Sequence, residues 1–202
     1  MISQTLGENG HHTAGQCEYL TLAFSPLSAP LRSRWRNNGL SADFLGDYVT
    51  TFLPADGNDS GAEKRQSQIR HAVTYIANEL LENAMKYHER QTDIPIGIHL
   101  ELGVDDISVS ASNGVGFIKA EHYKSYVEDI LKEDPADLIA KHMEGSATEN
   151  EPNKSCLGLL TMMNDYGARL GWTFEVHPTY SGMMIVTTRA VLSLKSFPGV
   201  SA

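Results

Sequence analysis

The chain has 202 residues, 41% of them hydrophobic and 20% charged, with a formal net charge of −9. That length and apolar content suit one domain with its own core. The acidic balance argues against a nucleic-acid surface, which would gather Lys and Arg on one face, and no run approaches the roughly 18 apolar residues of a membrane-spanning helix.

Cys17 and Cys156 lie far apart and form no CxxC, so neither a zinc knuckle nor a disulfide framework is expected. The histidines show no metal-ligand spacing, and there is no Walker loop, no dinucleotide-binding GxGxxG and no GxSxG elbow. The N-terminal stretch has no basic region followed by an apolar one, so a cytoplasmic protein is expected, bound to neither membrane nor nucleic acid.

In chain order, residues 1–15 are polar and Gly-rich and are expected to form a flexible leader. "CEYLTLAFSPLS" (17–28) alternates like a strand, and 31–53 carries an apolar-periodic helix with candidate breaks at Asn37–Gly39 and Gly46. After the loop 54–64, a helical pattern runs over 63–91 without Pro or Gly. "DIPIGIHLELG" (93–103) and "DISVSAS" (106–112) predict a hairpin, and "NGVG" (113–116) is expected to break its second strand. One or two helices interrupted near Pro135 fill 117–145, followed by a polar segment, 145–155, expected to be mobile. A helix over 156–171 closing at Gly171, two strands turning at Ser181–Gly182, and a loose tail over 194–202 complete the chain. Helices packed on one face of a mixed sheet are the natural arrangement.

The long helix carries a candidate site. In "NELLENAMKY" (78–87), Val73, Ile76, Ala77, Leu80, Leu81 and Ala84 share one broad apolar arc, while Glu79, Asn83, Lys86 and Arg90 form a narrow stripe along its border. One reading is a solvated helix edge. The other is a site, because an Asn amide oxygen can take one place in the octahedral shell of Mg²⁺, and a carboxylate one turn earlier can orient a hydroxyl toward a phosphoryl group.

Two further segments bear on that choice. Gly114 and Gly116 in "ISVSASNGVG" (107–116) allow the backbone to approach a ligand closely. In "NKSCLGLLTMMNDYG" (153–167), Leu157, Gly158 and Leu159 stand at a helix start, where free N–H groups and the positive dipole end suit a phosphate.

Taken in order, these segments resemble the GHKL ATPase superfamily of gyrase, chaperone, histidine kinase and MutL, with its Bergerat fold. The family's N-box supplies Glu or Asn, then three residues, then a Mg²⁺-binding Asn; here Glu79 and Asn83 match. Its first glycine box, Asp-x-Gly-x-Gly, is similar to Ser112-Asn113-Gly114-Val115-Gly116, with Ser112 in place of the adenine-binding Asp. Its second, Gly-x-Gly-Leu-Gly-Leu, is similar to Lys154-Ser155-Cys156-Leu157-Gly158-Leu159, which keeps one glycine. The match spans about residues 70–190. Glu at position 79 makes the chain more similar to anti-sigma-factor-type serine kinases than to histidine kinases, and its long helical stretch between the glycine boxes resembles SiaB-type and slr1658-type regulators of bacterial partner-switching pathways.

The resemblance implies an α+β two-layer sandwich with a mixed, mostly antiparallel sheet, spanning residues 16–193, in which 117–155 forms a helical insert and lid. It implies ATP with Mg²⁺ as cofactors and transfer of the γ-phosphoryl group to a Ser or Thr of a partner protein, such as a STAS-type anti-sigma-factor antagonist; a homodimer is compatible with it. Glu79 would be the catalytic base, Asn83 the Mg²⁺ ligand and Lys86 a neighbour of the phosphates, while Ser112, Asn113, Gly114 and Gly116 would line the adenine end and Leu157, Gly158 and Leu159 would offer N–H groups to the phosphates. The alternative is a degenerate member that binds its partner without catalysis.

Overall fold

The computed structural model describes residues 3–8, 17–26, 31–53, 60–145 and 156–197, without the side chains of 31–37, 60, 142–145 and 156. Residues 54–59 of the loop expected over 54–64, residues 146–155 of the segment expected to be mobile, which include the second glycine box up to Ser155, the rest of the leader and the end of the tail lie outside the described residues; 60–64 belong to a helix instead.

The elements are β1 (Ser3–Gly7), β2 (Glu18–Phe24), α1 (Leu31–Thr50), α2 (Ser60–Tyr87), β3 (Ile96–Leu102), β4 (Asp106–Gly116), α3 (Phe117–Ile130), α4 (Pro135–Gly145), α5 (Cys156–Asn164), β5 (Arg169–Val176) and β6 (Met183–Ser193). The strands form one sheet in the order β1-β5-β6-β4-β3-β2. Every pairing is antiparallel, so the sheet is not mixed as expected, although the two-layer α+β arrangement is as the sequence implied.

Alternation sorts the sheet into two faces. Ile96, Ile98 and Leu100 of β3, Ile107, Val109 and Ala111 of β4, Trp172 and Phe174 of β5 and Val186 and Ala190 of β6 are all buried. Those of β3 and β4 meet α2, which buries Val73, Ile76, Ala77, Leu80 and Leu81, while Trp172 and Phe174 meet Tyr123 of α3. At about 25 cal/mol per Å² of apolar surface removed from water, this shared layer is the main stabilising contribution. Outside it, α1 packs on α2.

Several boundaries differ from expectation. Residues 3–7, within the expected leader, form β1, which pairs residue for residue with Glu175–Gly171 of β5. The periodicity of so short an edge strand is too weak to stand out. α1 has no break at Asn37–Gly39 or Gly46. Gly46 is instead the point where α1 meets α2: a Cβ there would lie against the Thr74 hydroxyl and 3.0 Å from the Arg70 carbonyl oxygen.

"NGVG" does not break β4 either, because Asn113–Gly116 pair with Val186–Met183 and lead directly into α3. α5 ends at Asn164, well before Gly171: Gly167, at φ 62°, turns the chain, and the Ala168 N–H donates to the Met162 carbonyl. Gly171 belongs to β5. The start of the tail is structured, with Leu194 and Phe197 packed against the core. As expected, the helices between Phe117 and Gly145 part at Pro135.

Two glycines on one helix separate packing from propensity. Gly46→Ala should destabilise by about 1–3 kcal/mol through overpacking against α2. Gly39→Ala, where nothing lies within 4 Å, should stabilise by up to about 1 kcal/mol from helix propensity alone. Urea unfolding of both variants checks the pair.

Candidate functional site

Where α2 runs out over the sheet, its layer leaves a cavity of about 560 Å³. Leu80, Asn83, Ala84 and Tyr87 of α2 form one wall, and Ala111, Asn113 and Val115 of β4 with Val186 and Thr188 of β6 form the floor. α3 closes the opposite wall with Lys119, His122, Tyr123 and Tyr126, and α5 contributes Leu159. The volume falls within the range of small-molecule sites, and the mix of apolar lining with few polar groups is typical of them.

α3 is held by an indole. Trp172 is buried on β5, and its Nε1–H donates to the Tyr123 hydroxyl at 2.9 Å. Tyr123 lies 6.4 Å from the Tyr87 ring and 6.3 Å from that of Tyr126, both pairs nearly parallel, giving the cavity a continuous aromatic wall. α5 is held on the other side, where Tyr166, just after the helix, stacks on Tyr75 of α2 at 5.0 Å.

The structure brings several of the sequence-chosen residues together. Asn83 lines the cavity. Glu79, one turn earlier, meets the start of α5, where a Cβ on Gly158 would run into its carboxylate. Glycine at 158 therefore lets α5 approach α2 at the position of the carboxylate. Burial, and secondarily the charge of Glu82, push the Glu79 carboxyl above its usual pKa. Leu157 is exposed beside these groups, while Leu159 faces the cavity.

Other chosen residues are placed elsewhere. Lys86 is exposed, its Nζ 5.3 Å from the centroid of the Tyr87 ring and outside the cavity lining. The lysine that does line it is Lys119, 3.1 Å from Glu89. Ser112 is a correction: it pairs with Gly97, and its hydroxyl packs over that residue on the opposite face of the sheet. The side chain that points into the cavity is Asn113, only 7% exposed. Its Nδ2 is buried with no hydrogen-bond partner among the described residues. Gly114 lies under Ile94, and its carbonyl accepts from the Glu89 N–H at 2.8 Å; Gly116 caps α3.

The signal that separates Ser112 from Asn113 was in the sequence. In "ISVSASNGVG" the apolar residues Ile107, Val109 and Ala111 hold the odd positions, so Asn113 must face the same way. Thr188 and the α3 wall carried no such mark, because only the sheet order puts β6 beside β4.

The opposite face of the sheet is polar. There Arg189 pairs with Glu101 at 2.5 Å and the Ser108 hydroxyl donates to the same carboxylate at 3.0 Å. Burial would raise the Glu101 pKa, but Ser108, Arg189 and His99 outweigh it and hold the carboxyl below its usual range.

Fold and cavity together define a two-layer α+β protein whose cleft lies between its longest helix and the centre of the sheet. No family model matches the sequence, and no curated protein matches it. Among solved structures, it is similar in fold to a chain of the SiaB–SiaC complex from Pseudomonas aeruginosa, with a TM-score of 0.56 and 19% identity over 85% of this chain and 89% of that one. At that identity the likeness concerns the fold.

The raised pKa of Glu79 has a thermodynamic consequence. The folded state holds this proton more tightly than the unfolded one, so the stabilisation is complete below the unfolded value and is lost as pH rises through the folded value. Glu79→Gln should therefore raise the Tm at pH 7. The gap from wild type should close below about pH 4, where both states of the wild type are protonated. Melting curves across pH check it, and a Tm unchanged at pH 7 would refute it.

Proposed function

We propose that the protein is an ATP-binding regulator that transfers a phosphoryl group to a Ser or Thr of a partner protein, in the manner of anti-sigma-type kinases. The observation that carries this reading is the meeting of Glu79 and Gly158, whose chain neighbours Leu80 and Leu159 line the same cavity as Asn83. The spacing alone would suit a solvated helix edge; the opposed helix start and the cavity favour a site. The solved complex with a similar fold contains two proteins, SiaB and SiaC, which supports a partner protein here as well.

The residues fit Mg²⁺ and ATP. Mg²⁺ keeps most of its waters and takes few protein ligands, so a single amide from Asn83 suits it without a carboxylate cage. Bound ATP supplies the phosphoryl group. Asn83 would hold the metal by its Oδ1, and the first turn of α5 would offer backbone N–H groups to the phosphates. Glu79, its pKa raised by burial, would take the proton from the partner hydroxyl at physiological pH. The aromatic wall of Tyr87, Tyr123 and Tyr126 would cover the base and exclude water. Catalysis of this kind rests on positioning and charge stabilisation.

The second reading is a scaffold that binds its partner without turnover. Its support is that no carboxylate lines the cavity among the described residues, and Ser112 faces away.

Calorimetry with Mg²⁺ and ATP decides between them. Wild type should bind, and Asn83→Ala should lose at least about tenfold in affinity, the size of one charge-assisted contact. Glu79→Ala should keep binding and lose transfer of label from ATP to a STAS-type partner by about 10²-fold or more. Absence of binding by wild type at millimolar ATP leaves only the scaffold reading.

A further inference from the structure

The sheet ends in β1 on one side and β2 on the other, and the two edges differ. β1 is five residues long, mostly polar, and ends at Gly7 in the left-handed region, φ 73°. β2 is seven residues long, "EYLTLAF", with no Lys, Pro or Gly, and it pairs with β3 one for one from Glu18–Leu102 to Phe24–Ile96, without a bulge. On its other side β2 has no neighbouring strand among the described residues. Every second residue of an antiparallel edge strand turns its N–H and C=O away from its neighbour, which leaves an open row of donors and acceptors. Lys, Pro and bulges guard such edges against pairing with another chain, and β2 carries none of them.

The side chains of β2 are incompletely covered as well. Leu20, Leu22 and Phe24 pack against the core from the inner face but are only partly buried. On the outer face Tyr19 is 66% exposed, although its ring leans on His99 at 5.8 Å between centroids. Thr21 and Ala23, on the same face, are exposed too.

A second copy of the same strand fits this edge. In antiparallel pairing about a two-fold axis perpendicular to the sheet, inner residues meet inner residues, and the register centred on Thr21 pairs all seven positions. Tyr19 then stands opposite the second copy's Ala23, a large side chain beside a small one, and Leu20 opposite its Leu22. Glu18, the only charged residue of β2, faces Phe24, so no like charges meet.

We propose that β2 is a self-association edge, through which two copies of the chain pair antiparallel about Thr21 and join their six-stranded sheets into one. The proposal is independent of the nucleotide reading, because no residue of β2 lines the cavity. Backbone hydrogen bonds supply the affinity, and the alternating side chains set the register. One strand pair is a small interface, below about 1,200 Å², so the dimer forms reversibly as concentration rises.

Sedimentation velocity from micromolar to near-millimolar protein should show wild type passing from monomer to dimer. Thr21→Lys brings two like charges face to face across the axis and should weaken association at least about tenfold. Thr21→Glu should do the same. An equimolar mixture of the two variants should recover a dimer at least as tight as wild type, because in this register position 21 meets itself; a merely local defect at Thr21 is not rescued by mixing. Melting curves confirm that the variants are folded. If either is not, hydrogen exchange on wild type decides, since amides within Glu18–Phe24 should gain protection as concentration rises.

Wild type that stays monomeric near millimolar concentration overturns the proposal, even if a strand of a different protein pairs with β2. So does a dimer whose dissociation constant is unchanged in Thr21→Lys, whose charged variants fail to rescue each other, or whose β2 amides exchange at one rate at every concentration.

Discussion

The structure depends on one packing event, the burial of the apolar arc of α2 against the inner face of β3 and β4. A helix of 28 residues laid on a sheet can cover only part of it, and the direction of its side chains decides what remains at the margin. With Val73, Ile76, Ala77 and Leu80 facing down, Glu79 and Asn83 are carried to the rim whatever their purpose. The cavity begins there, between the last turns of α2 and the ends of β4 and β6.

What surrounds the rim follows from the same layer. α3 starts directly from β4 at Phe117, so its Tyr123 reaches back to Trp172, and the indole's need for an acceptor fixes the far wall. α5 approaches closely because Gly158 has no side chain to displace the Glu79 carboxylate, and the stack of Tyr166 on Tyr75 holds it there. A carboxyl pressed between two helices loses water, which is why its proton is held more tightly. The two sheet faces also divide the polar chemistry: the inner one carries isolated amide and hydroxyl groups beside a cavity, while on the outer one Arg189 and Ser108 both donate to the Glu101 carboxylate.

Likeness of fold to a chain of the SiaB–SiaC complex concerns backbone geometry alone, whereas the resemblance to the GHKL boxes rests on residue identity. The structure brings Glu79 and Gly158 together, and Asn83 lines the cavity. The first glycine box is different. There the motif alignment selects Ser112, but the strand register presents Asn113. A motif counts positions along the chain, whereas a ligand meets only the side chains on one face, and in a strand a shift of one residue exchanges the faces.

The sequence by itself determined the element types, the apolar arc of α2, the hairpin of β3 and β4 and the Glu79–Asn83 pair, because each is written in local periodicity of 3.6 or 2 residues. Alternation also placed Asn113 inward. Only the tertiary structure decided that residues 3–7 form an edge strand, that α5 stops near Gly167, and that Lys119, Thr188 and the tyrosines of α3 surround the cavity. These depend on which strands become neighbours and where helices cross, contacts between residues far apart in the chain. Lys86 shows the limit from the other side: its spacing matched the stripe, yet its flexible stem carries the charge out over Tyr87, since a long cationic side chain keeps its head in water unless packing holds it.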